Sequence, residues 1–286
     1  MDFLRPRTLA EALAMKAEHP DAVPIAGGTD VMVELNFDTR RPAALLDLTG
    51  VGELAEWGTD NGSVRLGAGV PYARIITELG AELPGLAIAA RTVGSPQIRN
   101  RGTVGGNLGS ASPAGDAHPP LLATGAVVQV ASATGTRSIP VTDFFVGPKR
   151  STLAPDELIT AVVLPKARGP QQFAKVGTRN AMVIAVCSFA VSLDADNRRV
   201  GTGIGSAGPT PLRATEAEAL AAELPWADRK PVPDALAARF GELVGAAARP
   251  IDDVRGTASY RRHALGVLAR RTLSWAWHDY CSGGRF

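Results

Sequence analysis

Two short glycine-rich segments are the parts of this sequence best suited to bind a ligand. The first segment is Ile25-Ala26-Gly27-Gly28-Thr29-Asp30-Val31 and the second is Thr103-Val104-Gly105-Gly106-Asn107. Backbone N–H groups beside the start of a helix suit an anionic phosphate, and glycines let it come close. Neither segment has the GxGxxG or GxxxxGK[ST] spacing of the common nucleotide-binding motifs. One such segment is weak evidence, whereas two could clamp a diphosphate from both sides, which predicts a dinucleotide lying along a cleft.

The elements around the first segment predict a small α/β unit. A capping box at Thr8 to Glu11 starts a helix that extends to about residue 19. A strand at 22–26 enters the glycine segment, a helical turn follows it, and a second apolar strand covers 44–48. The first segment therefore lies at a strand-to-helix junction.

The predicted pattern of secondary structure changes twice in the remaining chain. Asp60-Asn61-Gly62 predicts a hairpin, helical stretches follow at 72–79 and 86–93, and apolar strands at 126–131 and 158–164 come after the second glycine segment. Beyond a basic Gly-Pro linker, three strands predict an antiparallel meander, at 173–176, 183–193 and 200–206, and three helices follow at 215–224, 233–248 and 260–277. We therefore expect an α+β fold with two N-terminal subdomains, about 1–55 and 56–168, and a C-terminal lobe at 171–286.

Composition excludes several classes of function. The 286 residues are 45% hydrophobic, and 30 basic against 28 acidic residues leave a net charge of +2 without a basic patch, so we expect no nucleic-acid partner. No apolar run reaches membrane-spanning length, and the first residues do not resemble an export signal, so we expect a cytoplasmic protein. Two cysteines cannot hold an iron–sulfur cluster, and the four histidines have no metal-ligand spacing, so no metal site is predicted.

The order of five motifs resembles a known family. They are the two glycine segments, Ala111-Ser112-Pro113-Ala114-Gly115-Asp116, Phe144-Phe145-Val146-Gly147 with Thr152-Leu153, and Phe173-Ala174-Lys175-Val176-Gly177-Thr178-Arg179. Together they resemble the medium, FAD-binding subunit of molybdenum hydroxylases of the xanthine dehydrogenase and carbon monoxide dehydrogenase type, over essentially the whole chain. The resemblance implies the two-subdomain FAD-binding fold of the vanillyl-alcohol-oxidase (PCMH) type, followed by a lobe with a three-stranded antiparallel sheet and helices.

The resemblance also implies a set of cofactor-binding residues. Ile25, Ala26, Gly27, Gly28, Thr29, Asp30 and Val31 would wrap the FAD diphosphate, and Thr103, Val104, Gly105, Gly106 and Asn107 would close on it from the second subdomain. Asp116 resembles the acid that anchors hydroxyl or amino groups of the cofactor. Ile159 matches an apolar residue near the flavin, and Lys175 matches a lysine beside the cofactor.

The residues alone leave three of these assignments open. Asp116 could cap a helix that begins there, Ile159 could be an ordinary buried strand residue, and Lys175 could be a solvated edge residue. No histidine lies in the first segment, so the FAD is expected to be bound without a covalent link.

The implied activity is that of an oxidoreductase subunit with no catalytic residues of its own. A molybdopterin large subunit would oxidise the substrate, a small subunit with two [2Fe–2S] clusters would relay electrons, and FAD on this chain would pass them to NAD⁺ or a quinone. We expect a dimer of heterotrimers, with xanthine or another purine as the first choice of substrate, then carbon monoxide or an N-heteroaromatic compound. The alternatives are a free-standing FAD-dependent reductase or oxidase of the same fold, and a scaffold subunit without flavin.

One departure from the family pattern concerns the segment after Lys175. Some relatives have a tyrosine near the flavin here, where this chain has Met182 and Val183. The segment 176–183 could control access of the acceptor, with Arg179 binding the diphosphate of NAD⁺. Alternatively, Arg179 caps a turn or packs on a partner subunit.

Overall fold

The computed structural model describes residues 1–283, which fold into two N-terminal subdomains and a C-terminal lobe. The helices are α1 (Leu9–Glu18), α2 (Val31–Asn36), α3 (Tyr72–Glu78), α4 (Pro84–Arg91), α5 (Pro96–Arg101), α6 (Val104–Ser110), α7 (His118–Thr124), α8 (Val141–Phe144), α9 (Thr215–Leu220), α10 (Asp234–Ala247) and α11 (Ala258–Cys281). The strands are β1 (Asp2–Leu4), β2 (Val23–Ile25), β3 (Ala44–Asp47), β4 (Trp57–Asp60), β5 (Ser63–Gly67), β6 (Val127–Ser132), β7 (Gly135–Pro140), β8 (Phe145–Gly147), β9 (Arg150–Ser151), β10 (Leu158–Pro165), β11 (Gln171–Val176), β12 (Cys187–Asp194) and β13 (Arg199–Gly205).

The first subdomain is a three-stranded parallel sheet in the order β1-β3-β2. Thr8 caps α1 as predicted, because its side chain accepts a hydrogen bond from the Glu11 N–H. Ala12, Leu46 and Leu54 form part of the small core under this sheet. The carboxyl end of β2 opens directly into the first glycine segment, which places that segment at the sheet edge where ligands of α/β units bind.

The second subdomain is built on a five-stranded antiparallel sheet in the order β4-β5-β10-β6-β7. The predicted hairpin joins β4 to β5, and both Asn61 and Gly62 have positive φ, as a tight hairpin turn requires. Helices α3 to α7 cover one face of the sheet around Leu66, Leu86 and Val162. These helices carry the second glycine segment.

The C-terminal lobe contains the predicted three-stranded antiparallel sheet, in the order β11-β12-β13. The sheet packs under α10 and α11 around Phe189, Phe240 and Trp277. Strand β12 begins at Cys187, four residues later than the predicted start at Val183, and the intervening residues are irregular. The α+β class and the C-terminal sheet are confirmed.

Two glycines of β13 allow this lobe to pack closely against the second subdomain. A Cβ atom at Gly201 or Gly203 would lie 2.0 Å from the carbonyl oxygen of Ala123 or Pro119, so β13 runs directly against the backbone of α7. Larger side chains would push β13 and α7 apart.

None of the helices within residues 1–283 combines the length and the apolar character that a membrane span needs.

Candidate functional site

A cleft of about 960 Å³ runs between the two N-terminal subdomains, and both glycine segments line it. Its volume is at the upper end of the usual range for small-molecule sites, which suits a ligand as long as a dinucleotide. The loop of residues 182–184, which belongs to the C-terminal lobe, contributes to its rim. All three parts of the fold therefore meet at one cavity.

The first glycine segment turns sharply between β2 and α2. Gly28 has a φ of +74°, a conformation in which a side chain is strained. Gly27 is required for a different reason, since its Cβ atom would lie 2.0 Å from the carbonyl oxygen of Arg101. The first segment therefore touches the chain immediately before the second one.

The second glycine segment is the first turn of a helix rather than an open loop. Thr103 caps α6, its hydroxyl accepting a hydrogen bond from the Gly106 N–H at 2.9 Å. Gly105 packs on Ala68, where a Cβ atom would lie 2.6 Å from the backbone oxygen. At Gly106 a Cβ atom would meet only the Thr103 hydroxyl within 4 Å, so this glycine leaves its space to the cleft.

A buried ion pair joins the C-terminal lobe to the cleft. Lys175 Nζ lies 2.6 Å from Asp116 Oδ2, and the two side chains are only 9% and 10% exposed. The ammonium also donates to the carbonyl oxygens of Thr92 at 2.9 Å and Val183 at 3.2 Å. Lys175 is thus fully hydrogen-bonded, which is opposite to the solvated edge position that the residues alone left open.

Asp116 does not cap a helix. Helix α7 begins at His118 with Ala117 at its cap, and the Asp116 carboxylate points instead to Lys175 and, at 3.4 Å, to the Thr92 hydroxyl. Burial raises the pKa of Asp116, while Lys175 acts in the opposite direction. The second carboxylate oxygen, Oδ1, is buried and accepts no hydrogen bond from the chain as described.

Three of the six buried side-chain polar atoms without a hydrogen-bond partner in the described residues belong to residues that line this cleft. Tyr72 OH, Asn107 Oδ1 and Asp116 Oδ1 are buried without a hydrogen-bond partner in residues 1–283, and all three residues line the cavity. Because leaving a buried polar group unpaired costs roughly 1–3 kcal/mol, such groups normally have a partner. Their convergence on one cavity points to a polar ligand with several hydrogen-bonding groups.

The predicted site residues come together, with three exceptions. The cleft is lined by Ala26, Gly27, Gly28, Thr29, Asp30, Val31, Thr103, Gly105, Gly106, Asn107, Asp116 and Ile159. Ile25 and Val104 are instead buried among core residues, where they position the backbone of the glycine segments. Lys175 lies behind Asp116 and reaches the cleft only through it.

Several lining residues were not predicted. Tyr72, Val93 and Ile98 lie around the second segment, and Leu153 and Ile184 add apolar surface. Tyr72 belongs to no recognised motif. It lies at the cleft because its neighbour Pro71 pairs with Thr103 in an isolated β-bridge. No local sequence signal predicts such a contact.

The segment after Lys175 is an irregular loop at the cleft rim. Gly177 fits closely against Val183, and Met182 and Ile184 are 56% exposed. The Arg179 guanidinium donates to the Met182 carbonyl, its Nε at 3.1 Å. In this structure Arg179 therefore caps a turn within its own loop.

His118 supports the second segment from below. It is fully buried, and burial lowers the pKa of His118 to about 4, so the ring is neutral at pH 7. Its Nε2–H donates to the carbonyl oxygen of Asn107 at 3.2 Å, and its ring packs on Phe145. The histidine holds the backbone of α6 in place.

The FAD-binding domain of molybdopterin dehydrogenases matches residues 1–167, and the C-terminal domain of carbon monoxide dehydrogenase flavoproteins matches residues 172–276. The chain belongs to the molybdopterin dehydrogenase FAD-binding family. The resemblance predicted from the motifs is confirmed, and FAD is the cofactor of this oxidoreductase subunit.

Relatives in this family serve different dehydrogenases. The nicotinate dehydrogenase FAD-subunit of Eubacterium barkeri is 34% identical over 230 residues, which are 76% of this chain and 78% of the relative. The putative xanthine dehydrogenase FAD-binding subunit of Escherichia coli is 29% identical over 281 residues, 95% of this chain and 94% of the relative. A chain in the solved structure of carbon monoxide dehydrogenase from Hydrogenophaga pseudoflava superposes with a TM-score of 0.90 at 26% identity, covering 98% of both chains.

The residues of the cleft fit FAD. The glycine segments leave backbone space for a diphosphate, and the unpartnered oxygens of Asn107 and Asp116 can accept from hydroxyl or amino groups of the cofactor. Ile159 and Leu153 supply the apolar surface that a flavin ring needs.

Proposed function

We propose that this chain transfers electrons from the [2Fe–2S] clusters of a small partner subunit to NAD⁺ or another acceptor such as a quinone. The substrate is oxidised on a large molybdopterin subunit of the same cytoplasmic complex, a dimer of heterotrimers. The observation that carries the proposal is the cleft itself, which is lined by two glycine segments and by three residues with unpartnered polar atoms. Bound FAD supplies the redox chemistry, because a flavin exchanges electrons both singly and in pairs.

The chain's own residues bind and orient the cofactor. We assign the diphosphate to the backbone N–H groups of the first glycine segment and to the space that Gly106 leaves open in the second. The N–H groups of Gly105, Gly106 and Asn107 already donate to Ala68 and Thr103. Asp116 accepts from a hydroxyl or amino group of FAD through Oδ1, while its Oδ2 is held by Lys175. Ile159 packs against the flavin. None of these residues is assigned a proton-transfer role, consistent with a subunit that relays electrons.

The substrate of the complex would bind to the large partner subunit and not to this chain. Nicotinate, xanthine and carbon monoxide all occur in the names of the relatives and the solved structure, so family membership leaves the substrate open. We propose a purine such as xanthine first, then carbon monoxide or an N-heteroaromatic compound.

Replacing Gly106 with valine is expected to remove FAD from a folded chain. The new Cβ atom meets only the Thr103 hydroxyl in the protein, but the branched side chain fills cleft space assigned to the diphosphate. In the complex reconstituted with this variant, substrate should still reduce the iron–sulfur clusters, and NAD⁺ reduction should fall at least about tenfold. Visible absorption follows flavin content and cluster reduction in the same sample.

Gly135 provides the control. Nothing lies within 4 Å of a Cβ atom there, at the exposed start of β7, so Gly135→Val should keep normal flavin content and NAD⁺ reduction. NAD⁺ reduction at the wild-type rate by a flavin-free Gly106→Val complex would refute the proposed electron path.

Control of the acceptor's access to the flavin is assigned to the segment of residues 176–183. Arg179 binds the Met182 carbonyl at the cleft rim, and its guanidinium can still pair with the diphosphate of an arriving NAD⁺. Arg179→Ala should weaken the reaction with NAD⁺ about tenfold while leaving FAD content and reduction of a small dye unchanged. Steady-state kinetics with both acceptors measure this, and equal loss with both would assign Arg179 to loop structure alone.

A further inference from the structure

The side chain of Tyr72 is buried at the wall of the cleft with an unused hydroxyl. The residue is 2% exposed, and its OH has no hydrogen-bond partner among residues 1–283. Tyr72 nevertheless belongs to the residues that line the cavity.

Backbone contacts place Tyr72 where the two glycine segments meet. Its N–H donates to the Gly102 carbonyl at 2.9 Å, directly before the second segment. A Cβ atom at Gly102 would lie 3.4 Å from Tyr72 Cδ2 and 3.5 Å from the hydroxyl of Thr29, which belongs to the first segment. The ring therefore lies behind the junction of both segments.

The surroundings keep the phenol protonated. Burial raises the pKa of Tyr72 well above its usual value, and the carboxylates of Asp116 and Asp30 act in the same direction. The group is therefore a neutral O–H, able to donate to an oxygen atom of a ligand.

A structural role does not account for this hydroxyl. Phenylalanine would fill the same space in the core around Tyr72 and Ile75 without burying an unpaired polar atom. The hydroxyl is the part of the side chain that packing does not use.

We propose that Tyr72 is a further cofactor-binding residue, whose hydroxyl donates a hydrogen bond to an oxygen atom in the ribityl–diphosphate chain of FAD. The inference rests on the binding of FAD in this cleft. It selects the chain between the two ring systems because the glycine segments that flank Tyr72 are assigned to the diphosphate, and because this part of FAD is rich in acceptor oxygens.

The test is Tyr72→Phe in the full chain, from which FAD has been removed. Titration with FAD, followed by quenching of flavin fluorescence, should give about tenfold weaker binding, which corresponds to ~1.4 kcal/mol. Thermal unfolding of the flavin-free variant should occur at the same temperature as wild type or higher, because an unpaired buried hydroxyl has been removed. Tyr260→Phe is the matched control, since Tyr260 is 48% exposed on α11, and it should change neither quantity.

The outcomes distinguish a failure of the role proposed for Tyr72 from a failure of the proposed function. Equal FAD affinity of wild type and Tyr72→Phe, or a less stable flavin-free variant, would overturn the role of Tyr72 and leave the FAD site intact. Failure of the wild-type chain to bind FAD would instead overturn the proposed function. A parallel titration with ADP locates the bond, because weaker ADP binding by the variant assigns it to the diphosphate and unchanged ADP binding assigns it to the ribityl side.

Discussion

Replacing Gly27 with alanine is expected to abolish FAD binding and to lower the stability of the chain. One methyl group there would lie 2.0 Å from the carbonyl oxygen of Arg101, so the two glycine segments could not approach each other as they do. Overpacking of this kind usually costs about 1–3 kcal/mol. Because the segments would then be displaced, we expect flavin content below about one-tenth of wild type. Absorbance at the flavin band and thermal unfolding of the same preparation measure the two effects.

Gly52→Ala is the control for this experiment. A Cβ atom at Gly52 has no neighbour within 4 Å, so the same change of residue should leave flavin content and unfolding temperature as in wild type. Full flavin content in Gly27→Ala would show that the contact between the two segments is dispensable for binding.

Replacing Lys175 with methionine is expected to destabilise the flavin-free chain by about 3–5 kcal/mol at pH 7. The substitution keeps the apolar stem of the side chain but leaves the Asp116 carboxylate buried without its counterion. The double variant Lys175→Met/Asp116→Asn should recover more than half of the loss, since it removes the uncompensated charge. Urea unfolding of the variants measures the differences in the free energy of unfolding.

This loss should also depend on pH, with a definite sign. Without Lys175 the pKa of Asp116 rises further, because burial raises it and the main opposing charge is gone. The folded variant then binds a proton more readily than the unfolded chain, so its stability rises as pH falls and drops as pH increases. We therefore expect the difference in the free energy of unfolding between Lys175→Met and wild type to become smaller as the pH is lowered from 8 to 5.

Lys149→Met serves as the matched control. Lys149 also pairs with a carboxylate at the cleft, Glu34 at 2.8 Å, but its side chain is 66% exposed. An exposed pair contributes about 0–1 kcal/mol, so this variant should be nearly as stable as wild type, and the difference should not become smaller at low pH. Equal losses for the two lysine variants would contradict the special role given to the buried pair.

The elements that local sequence predicts best are those with local causes. The turn at Asn61 and Gly62 needs positive φ at both positions, and the cap at Thr8 needs only an N–H three residues later. The α+β class and the C-terminal meander follow from apolar periodicity along the chain. Each of these signals lies within a few residues of the element that it predicts.

Short elements and loop boundaries depend on distant partners and were missed. Strand β1 has three residues and exists because it pairs with β3, some forty residues away. The strand predicted to begin at Val183 begins at Cys187, because the carbonyl of Val183 binds Lys175 and that of Met182 binds Arg179. These carbonyls leave the β ladder for side chains that the local pattern does not specify.

The sequence by itself determined the ligand class, through two glycine segments whose spacing and order match one family of FAD-binding subunits. Only the tertiary structure decided that Gly27 touches Arg101, that Asp116 pairs with Lys175, and that Tyr72 reaches the cleft. The reason is physical. The absence of a side chain in a glycine segment indicates a close approach. The identity of the approaching atom depends on how the subdomains pack against each other, which no local pattern encodes.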